Sequence, residues 1–232
     1  MHERLIMKSY ISPLLLACIV LTACKKESIE TVPQNNTAYV VAQQGFFIEY
    51  NCDSIVVDDF NGTIDTFTFQ IKEYQQSYFT DNEGRQAIRL ERWKRQDSTL
   101  AWQLKDVWSL VKTSDRVEKV EEDVRMVKLL YPVRENLEWN IHMLNNSDPR
   151  IVACKDVHTS FNINGIEFDS TVTVVNTDPE NLVSEFRDTE IFAAQIGMVY
   201  KKLTDVRYVT PPQIGIRSGT IYTMKASRWG FE

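Results

Sequence analysis

The chain has 232 residues, of which 43% are apolar, 25% charged and 11% aromatic, with 8 Gly and 7 Pro. These values exclude a disordered, collagen-like or coiled-coil protein, and the length suffices for one domain or two small ones with a real core. A formal charge of −6 leaves no broad basic face for nucleic acid.

Residues 1–23 read as a signal peptide. Arg4 and Lys8 form a basic n-region, and Leu14 to Leu21 an apolar h-region. The 11 residues from Ile11 to Leu21 are short for a membrane-spanning helix. Met7-Lys8 would make a more typical start than Met1. Leu21-Thr22-Ala23-Cys24 then resembles the lipobox of bacterial lipoproteins. Small residues suit the signal peptidase, and Cys24 supplies the thiol that takes the lipid. The alternative is an ordinary secretory signal followed by a chance cysteine. One buried acyl chain binds a membrane only marginally, at about 0.8 kcal/mol per CH₂, so the two or three chains of a lipoprotein cysteine are what make a durable anchor. Lys25-Lys26-Glu27 loosely resembles the charged surface-export signal of Bacteroidota lipoproteins. The expected location is therefore the outer membrane, with the periplasmic and cell-surface faces both open.

Residues 24–38 hold the lipidated cysteine and a polar stretch that reads as a flexible tether. Removing residues 1–23 takes away Glu3, Arg4 and Lys8, which moves the net charge from −6 to −7. An acidic body is not drawn to anionic headgroups, so lipid rather than a basic patch is expected to hold it to the membrane.

Residues 39–232 read as a single β-rich domain. Period-two alternation dominates from Gly45 onward. Phe67, Phe69 and Ile71 share one parity, as do Trp102, Leu104, Trp108 and Leu110, interrupted by Asp106. Ile166, Phe168, Val172 and Val174 alternate with Glu167, Asp169, Thr171 and Thr173. Asn61-Gly62 and Asn164-Gly165 suit type I′ hairpins, and Asp81-Asn82-Glu83-Gly84 marks another reversal. Glu118 to Met126 is highly charged, but its β-branched valines favour strand over helix. Residues 135–153 look like a long loop between two parts of one sheet. Pro179 to Phe186 is the best helical segment, with Asp178 as N-cap. The pattern predicts nine to eleven strands in a mainly β fold with at most one or two short helices. That fold is an antiparallel meander which twists and curls into an open half-barrel or a barrel.

Several segments together resemble uncharacterised outer-membrane lipoproteins of the Bacteroidota. They include Gly45-Phe46-Phe47-Ile48-Glu49-Tyr50, Lys105-Asp106-Val107-Trp108 and Lys128-Leu129-Leu130-Tyr131-Pro132-Val133. Asn164-Gly165-Ile166-Glu167-Phe168-Asp169 and Ile196-Gly197-Met198-Val199-Tyr200-Lys201 extend the likeness, which covers roughly residues 45–225. Where such proteins tend to read Trp-Asn-Gly-Asn, this chain has Trp139-Asn140-Ile141-His142. The resemblance implies an envelope location and a β-rich architecture. It implies no activity, so it carries over no catalytic residue.

Motifs for chemistry are scarce. His142 and His158 lie in no metal-binding spacing, and no Cys-x-x-Cys is present. Asp58-Asp59-Phe60-Asn61-Gly62 misses the ligand positions of a calcium loop and reads as a hairpin turn. No catalytic residue, metal ligand or cofactor is therefore expected. Cys52 and Cys154 are the thiols left after lipidation; in an oxidising envelope they either pair or stay as two buried thiols, and the compartment favours the pair. The reading that follows is a non-catalytic binding or scaffold protein with an apolar concave face for a lipid, an acyl chain or a segment of an envelope protein. The alternative is a surface glycan-binding module using Trp93 and Trp108. Adjacent acids such as Glu121 and Glu122 read as charge on a solvated face, and a hydrolase with carboxylates dispersed along the sequence stands behind both.

Overall fold

The computed structural model describes residues 39–177, 181–209 and 215–232. The strands among them follow in chain order as β1 (Phe46–Asp58), β2 (Thr63–Thr80), β3 (Gln86–Arg95), β4 (Gln103–Lys112), β5 (Arg116–Glu121) and β6 (Val124–Leu130). The second half has β7 (Glu138–Asn140), β8 (Ile151–Ile163), β9 (Ile166–Asn176), β10 (Ser184–Ala193), β11 (Gly197–Tyr208) and β12 (Ile216–Phe231). They form one sheet in the order β6-β5-β4-β3-β2-β1-β12-β11-β10-β9-β8-β7. Every hydrogen-bonded neighbour is antiparallel, and β1 lies beside β12. At the remaining junction, the Val127 N–H of β6 donates to the Ile141 carbonyl just past β7 at 2.9 Å. The meander thus curls into a nearly closed up-and-down barrel, as the alternation predicts.

The turns show how the sequence makes these reversals. Asn164 and Gly165 both take positive φ, 53° and 80°, which is the expected type I′ geometry. Glu122 and Asp123 do the same at 47° and 65°, so the charged stretch 118–126 is strand rather than helix, as expected, but is broken by a turn that the sequence reading did not place, between β5 and β6. The Asn61-Gly62 turn differs from expectation: four residues separate β1 from β2, and Gly62 has positive φ while Asn61 does not. Asp58 sets this wider loop, its carboxylate accepting from the Phe60 and Asn61 N–H groups at 2.8 and 3.3 Å.

The predicted helix at Pro179–Phe186 is not formed in its described part. Asp178, Pro179 and Glu180 lie outside the described residues. Asn181 Oδ1 accepts from the backbone N–H groups of Val183 and Ser184, and the chain enters β10 at Ser184. An Asx turn has captured the backbone groups that a helix needed.

An eight-stranded barrel is just wide enough for side chains to fill; twelve strands enclose more. Two buried apolar clusters occupy part of the space. One gathers Val117, Val127, Leu129, Trp139 and Val172. The other gathers Phe46, Tyr50, Ile71, Val199 and Met224. Cys154 belongs to the first cluster and Cys52 to the second. Both are buried free thiols, on strands with four others between them in the sheet, so the disulfide that the compartment favoured is not formed here.

Candidate functional site: an interior cavity with a buried ionic wall

Inside the barrel lies a cavity of about 280 Å³. Its wall draws on β1 to β6 and β10 to β12, with Val40 and Val41 of the segment before β1. Much of that wall is apolar, including Phe46, Ile48, Leu90, Leu110, Phe192 and Met198. The remainder is ionic, with Arg92, Lys119, Lys128 and Lys201 facing Glu73, Glu121 and Glu190. Strand parity puts these charges inside, because Glu73 sits two residues from Ile71, Glu190 two from Phe192 and Lys201 two from Val199.

Glu190 is the centre of one ionic group. Its carboxylate accepts from Lys128 at 2.6 Å and from Lys201 at 2.7 Å, and Lys201 also meets Asp188 at 3.3 Å. Burial by itself would raise the Glu190 pKa, but the two lysine charges overcome it and hold the carboxyl well below its usual range. For Lys201, burial works against the charge and the Glu190 carboxylate restores it, so its pKa stands above the usual range. These side chains are therefore ionised in a site where unpaired charges are costly.

The second group is built on Glu73, which accepts from Lys119 at 3.0 and 3.2 Å. Arg92 of β3 lies between Glu73 of β2 and Asp106 of β4 in the strand register. Its Nη1 donates to Asp106 at 3.1 Å, and its guanidinium lies 4.2 Å from the Trp108 ring centroid. Lys119 approaches the same ring at 4.6 Å. Trp108 thus has two cations on it and lines the cavity, a cation–π arrangement that differs from an open sugar-stacking face.

The segment just before β1 is fastened to both halves of the sheet. The Tyr39 hydroxyl bonds His158 Nδ1 at 2.7 Å and lies 3.2 Å from Ser170 Oγ. Lys112 of β4 donates to the Val40 carbonyl at 2.6 Å, and Gln75 of β2 to that of Val41 at 2.7 Å. The chain therefore arrives at the barrel as a strap that contributes Val40 and Val41 to the cavity wall.

Of the residues singled out in the sequence, Trp108 reaches the cavity. Glu121 also reaches it, while Glu122 sits in the β5–β6 turn and accepts from the Trp108 indole at 3.2 Å. Trp93 lies in β3, paired with Lys72 and Leu104 in register. His142 bonds the Asp148 carbonyl in its own loop, and His158 serves the strap. Burial pushes the Cys52 and Cys154 thiols up to about 11 and about 12, which leaves them protonated and weakly nucleophilic. Cys24 lies outside the described residues. Sequence reading missed Arg92, Lys128, Glu190 and Lys201. The available signal was a charged residue on the apolar parity of a strand.

No family model matches the chain, and no curated protein does. Among solved structures it is similar to a predicted exported protein with YmcC-like fold from Bacteroides fragilis, at 10% identity and a TM-score of 0.44. That similarity covers 81% of this chain and 96% of the other. It is also similar to a predicted lipoprotein from Parabacteroides distasonis, at 9% identity and a TM-score of 0.42, over 83% of this chain and 98% of the other.

Proposed function

We propose that this protein is a non-catalytic binding protein, held to the outer membrane by lipid on Cys24, that takes a small amphipathic ligand into its barrel. The observation that carries this reading is the cavity itself, where an apolar wall meets a buried ionic one. Apolar pockets with a few placed polar groups are the usual form of a small-molecule site. Packing alone would favour apolar side chains here, because buried ion pairs are seldom more stabilising than well-packed hydrophobic residues. Size limits the occupant: about 280 Å³ is nearly twice the roughly 150 Å³ that accommodates benzene. One short chain fits, and a diacyl lipid does not.

Native mass spectrometry of the full-length protein from its host tests the binding reading, followed by solvent extraction. The expected result is a small amphiphile near one equivalent, lost when Met198→Trp fills the cavity. Protein that emerges without ligand, and takes up no single-chain amphiphile when offered one, overturns it. Metabolic labelling with a fatty-acid probe tests the anchor, with label expected on the wild type and absent from Cys24→Ser.

A further inference from the structure

The hydrogen-bonding capacity left open on the cavity wall defines the ligand's polar end. We propose that the cavity takes an uncharged single-chain amphiphile whose head carries hydroxyl groups, and that these donate to the Glu121 and Glu190 carboxylates while the chain lies along the apolar wall. This inference rests on the binding reading above and adds the ligand's class to it.

Three observations carry it. First, the wall has unfilled acceptors. Glu121 forms no hydrogen bond to a described residue, and its contact with Lys119 is an ion pair at 3.4 Å. Glu190 accepts from Lys128 and Lys201 through one oxygen, Oε1, which leaves Oε2 unbonded. Both residues line the cavity. The atoms that lack a hydrogen bond because they are fully enclosed are Arg92 Nε, Tyr131 Oη and Asp188 Oδ1. The open oxygens of Glu121 and Glu190 are not among these, so they keep surface that another molecule can reach. Water can serve them in the empty cavity. A ligand that displaces this water must donate in its place, or it leaves buried acceptors unpaired.

Second, both carboxylates are ionised. Burial by itself would raise the Glu121 pKa, but the charges of Lys119, Lys128 and Lys201 overcome it and hold the carboxyl below its usual range, as the lysines do for Glu190. An ionised carboxylate accepts and does not donate, so the matching group on the ligand is a donor. Lys128 commits one of its three N–H groups, to Glu190. A hydroxyl, which both donates and accepts, therefore finds partners of both kinds on one wall.

Third, the charges of the wall are already paired. Arg92 meets Asp106, Lys119 meets Glu73, Lys128 meets Glu190, and Lys201 meets both Asp188 and Glu190. Glu121 has Lys119. No cation of the wall lacks an acid, and no acid lacks a cation. A carboxylate head would bring its charge beside Glu121 and Glu190, and an ammonium head beside Lys128 and Lys201. Either would enter a buried site without a counter-ion of its own, which is costly. A hydroxyl brings no charge and uses the acceptors that are open.

The volume argument sets the size at roughly ten heavy atoms, which 1,2-octanediol, 1-methoxyoctane, octanoate and nonylammonium all have. The ether accepts hydrogen bonds but cannot donate them, so it isolates the donor's part. The full-length protein is reconstituted in phosphatidylcholine vesicles, and each labelled probe is measured by equilibrium dialysis against protein-free vesicles. The diol is expected to bind at least about tenfold more tightly than each of the others, because they leave an acceptor unpaired or a charge unmatched. In Glu121→Met the diol's affinity should fall toward that of the ether, with the ether unchanged, and Glu121→Gln should recover part of the loss. Saturable binding in which the ether or either ion equals or exceeds the diol overturns the head-group assignment and leaves the binding reading intact. So does diol affinity unmoved by Glu121→Met. Saturable binding of none of the four overturns both. The wild-type ranking needs no variant, so it decides the matter even where Glu121→Met fails to fold.

Discussion

The barrel is two six-stranded meanders, β1 to β6 and β7 to β12, and the two lines along which they meet are unlike. Between β1 and β12 the register runs through twelve pairs, from Phe46 opposite Phe231 to Val57 opposite Gly219. Between β6 and β7 there is one backbone hydrogen bond, from Val127 to Ile141. Two side-chain bonds support it: the Trp139 indole donates to the Val127 carbonyl at 2.8 Å, and Asn145 to that of Arg125 at 2.7 Å. β7 is three residues long, too short for a ladder. Interior ionic contacts supplement this join, since Lys128 of β6 reaches Glu190 of β10. One closure is thus a hydrogen-bonded sheet, while the other combines a few polar bonds, an apolar cluster and a buried ion pair. The second is where local opening costs least, and it adjoins Lys128 of the cavity wall.

The largest effect is expected from removing the ion that links the halves. Glu190→Ala leaves Lys128 and Lys201 buried beside a lost partner, and breaking such a pair costs about 3–5 kcal/mol. The sign of the pH effect follows from the depressed pKa of Glu190. In the folded state the carboxyl titrates well below its ordinary value of 4.5, whereas in the unfolded chain it titrates near that value. Its contribution is whole above pH 4.5 and declines as the pH falls through the folded pKa. Urea melts should show the wild type far ahead of Glu190→Ala at pH 7 and the gap narrowed at pH 3. An equal gap at both values would mean that the lost contact is not ionic.

β12 has a tight point of its own, on the edge that faces β11. Gly219 of β12 has φ +131°, and a Cβ there would stand 2.2 Å from the Asp205 carbonyl oxygen and 2.6 Å from Val206 Cα. Backbone on the neighbouring strand cannot move aside as a side chain can. Gly219→Ala should cost about 2–4 kcal/mol through strain and overpacking, read as a lowered urea midpoint with an unchanged slope. A Gly215→Ala control has nearly the same φ, +135°, but nothing within 4 Å of the added Cβ, and should cost less.

How far the sequence announces this arrangement depends on the residue. The run Ile166, Phe168, Val172, Val174 states its strand and its buried face plainly, since one parity is wholly apolar. Asn164-Gly165 states its turn, because few residue pairs tolerate two positive φ values. Asn61-Gly62 has the same letters, yet Asp58 captures two backbone N–H groups and widens the loop. The wall of the cavity was hidden for a different reason. Glu73, Arg92, Glu190 and Lys201 look solvated in isolation; strand pairing sets Arg92 opposite Glu73 and Lys201 opposite Glu190, but only the curling of the sheet brings Lys119 to Glu73 and Lys128 to Glu190. Their distances in sequence, 46 residues between Glu73 and Lys119 and 62 between Lys128 and Glu190, leave no local pattern. The thiol count misled in the same way, because it says nothing of which strands Cys52 and Cys154 occupy.

The smallest predicted effect sharpens the contrast between the seams most directly. Trp139 is buried at 5% exposure, and its indole N–H satisfies the Val127 carbonyl on the facing edge. Trp139→Phe keeps most of the apolar bulk and removes that donor, leaving a buried carbonyl without its indole partner. A loss of about 1–2 kcal/mol follows. Because the bond lies at the weak closure, its absence should speed amide hydrogen exchange at Val127 and Ile141 much more than at Tyr50 or Cys52, which sit in the twelve-pair ladder. Exchange that accelerates equally along both seams would show that the barrel opens as one unit, and the distinction between a laddered and a stapled closure would then have no dynamic meaning.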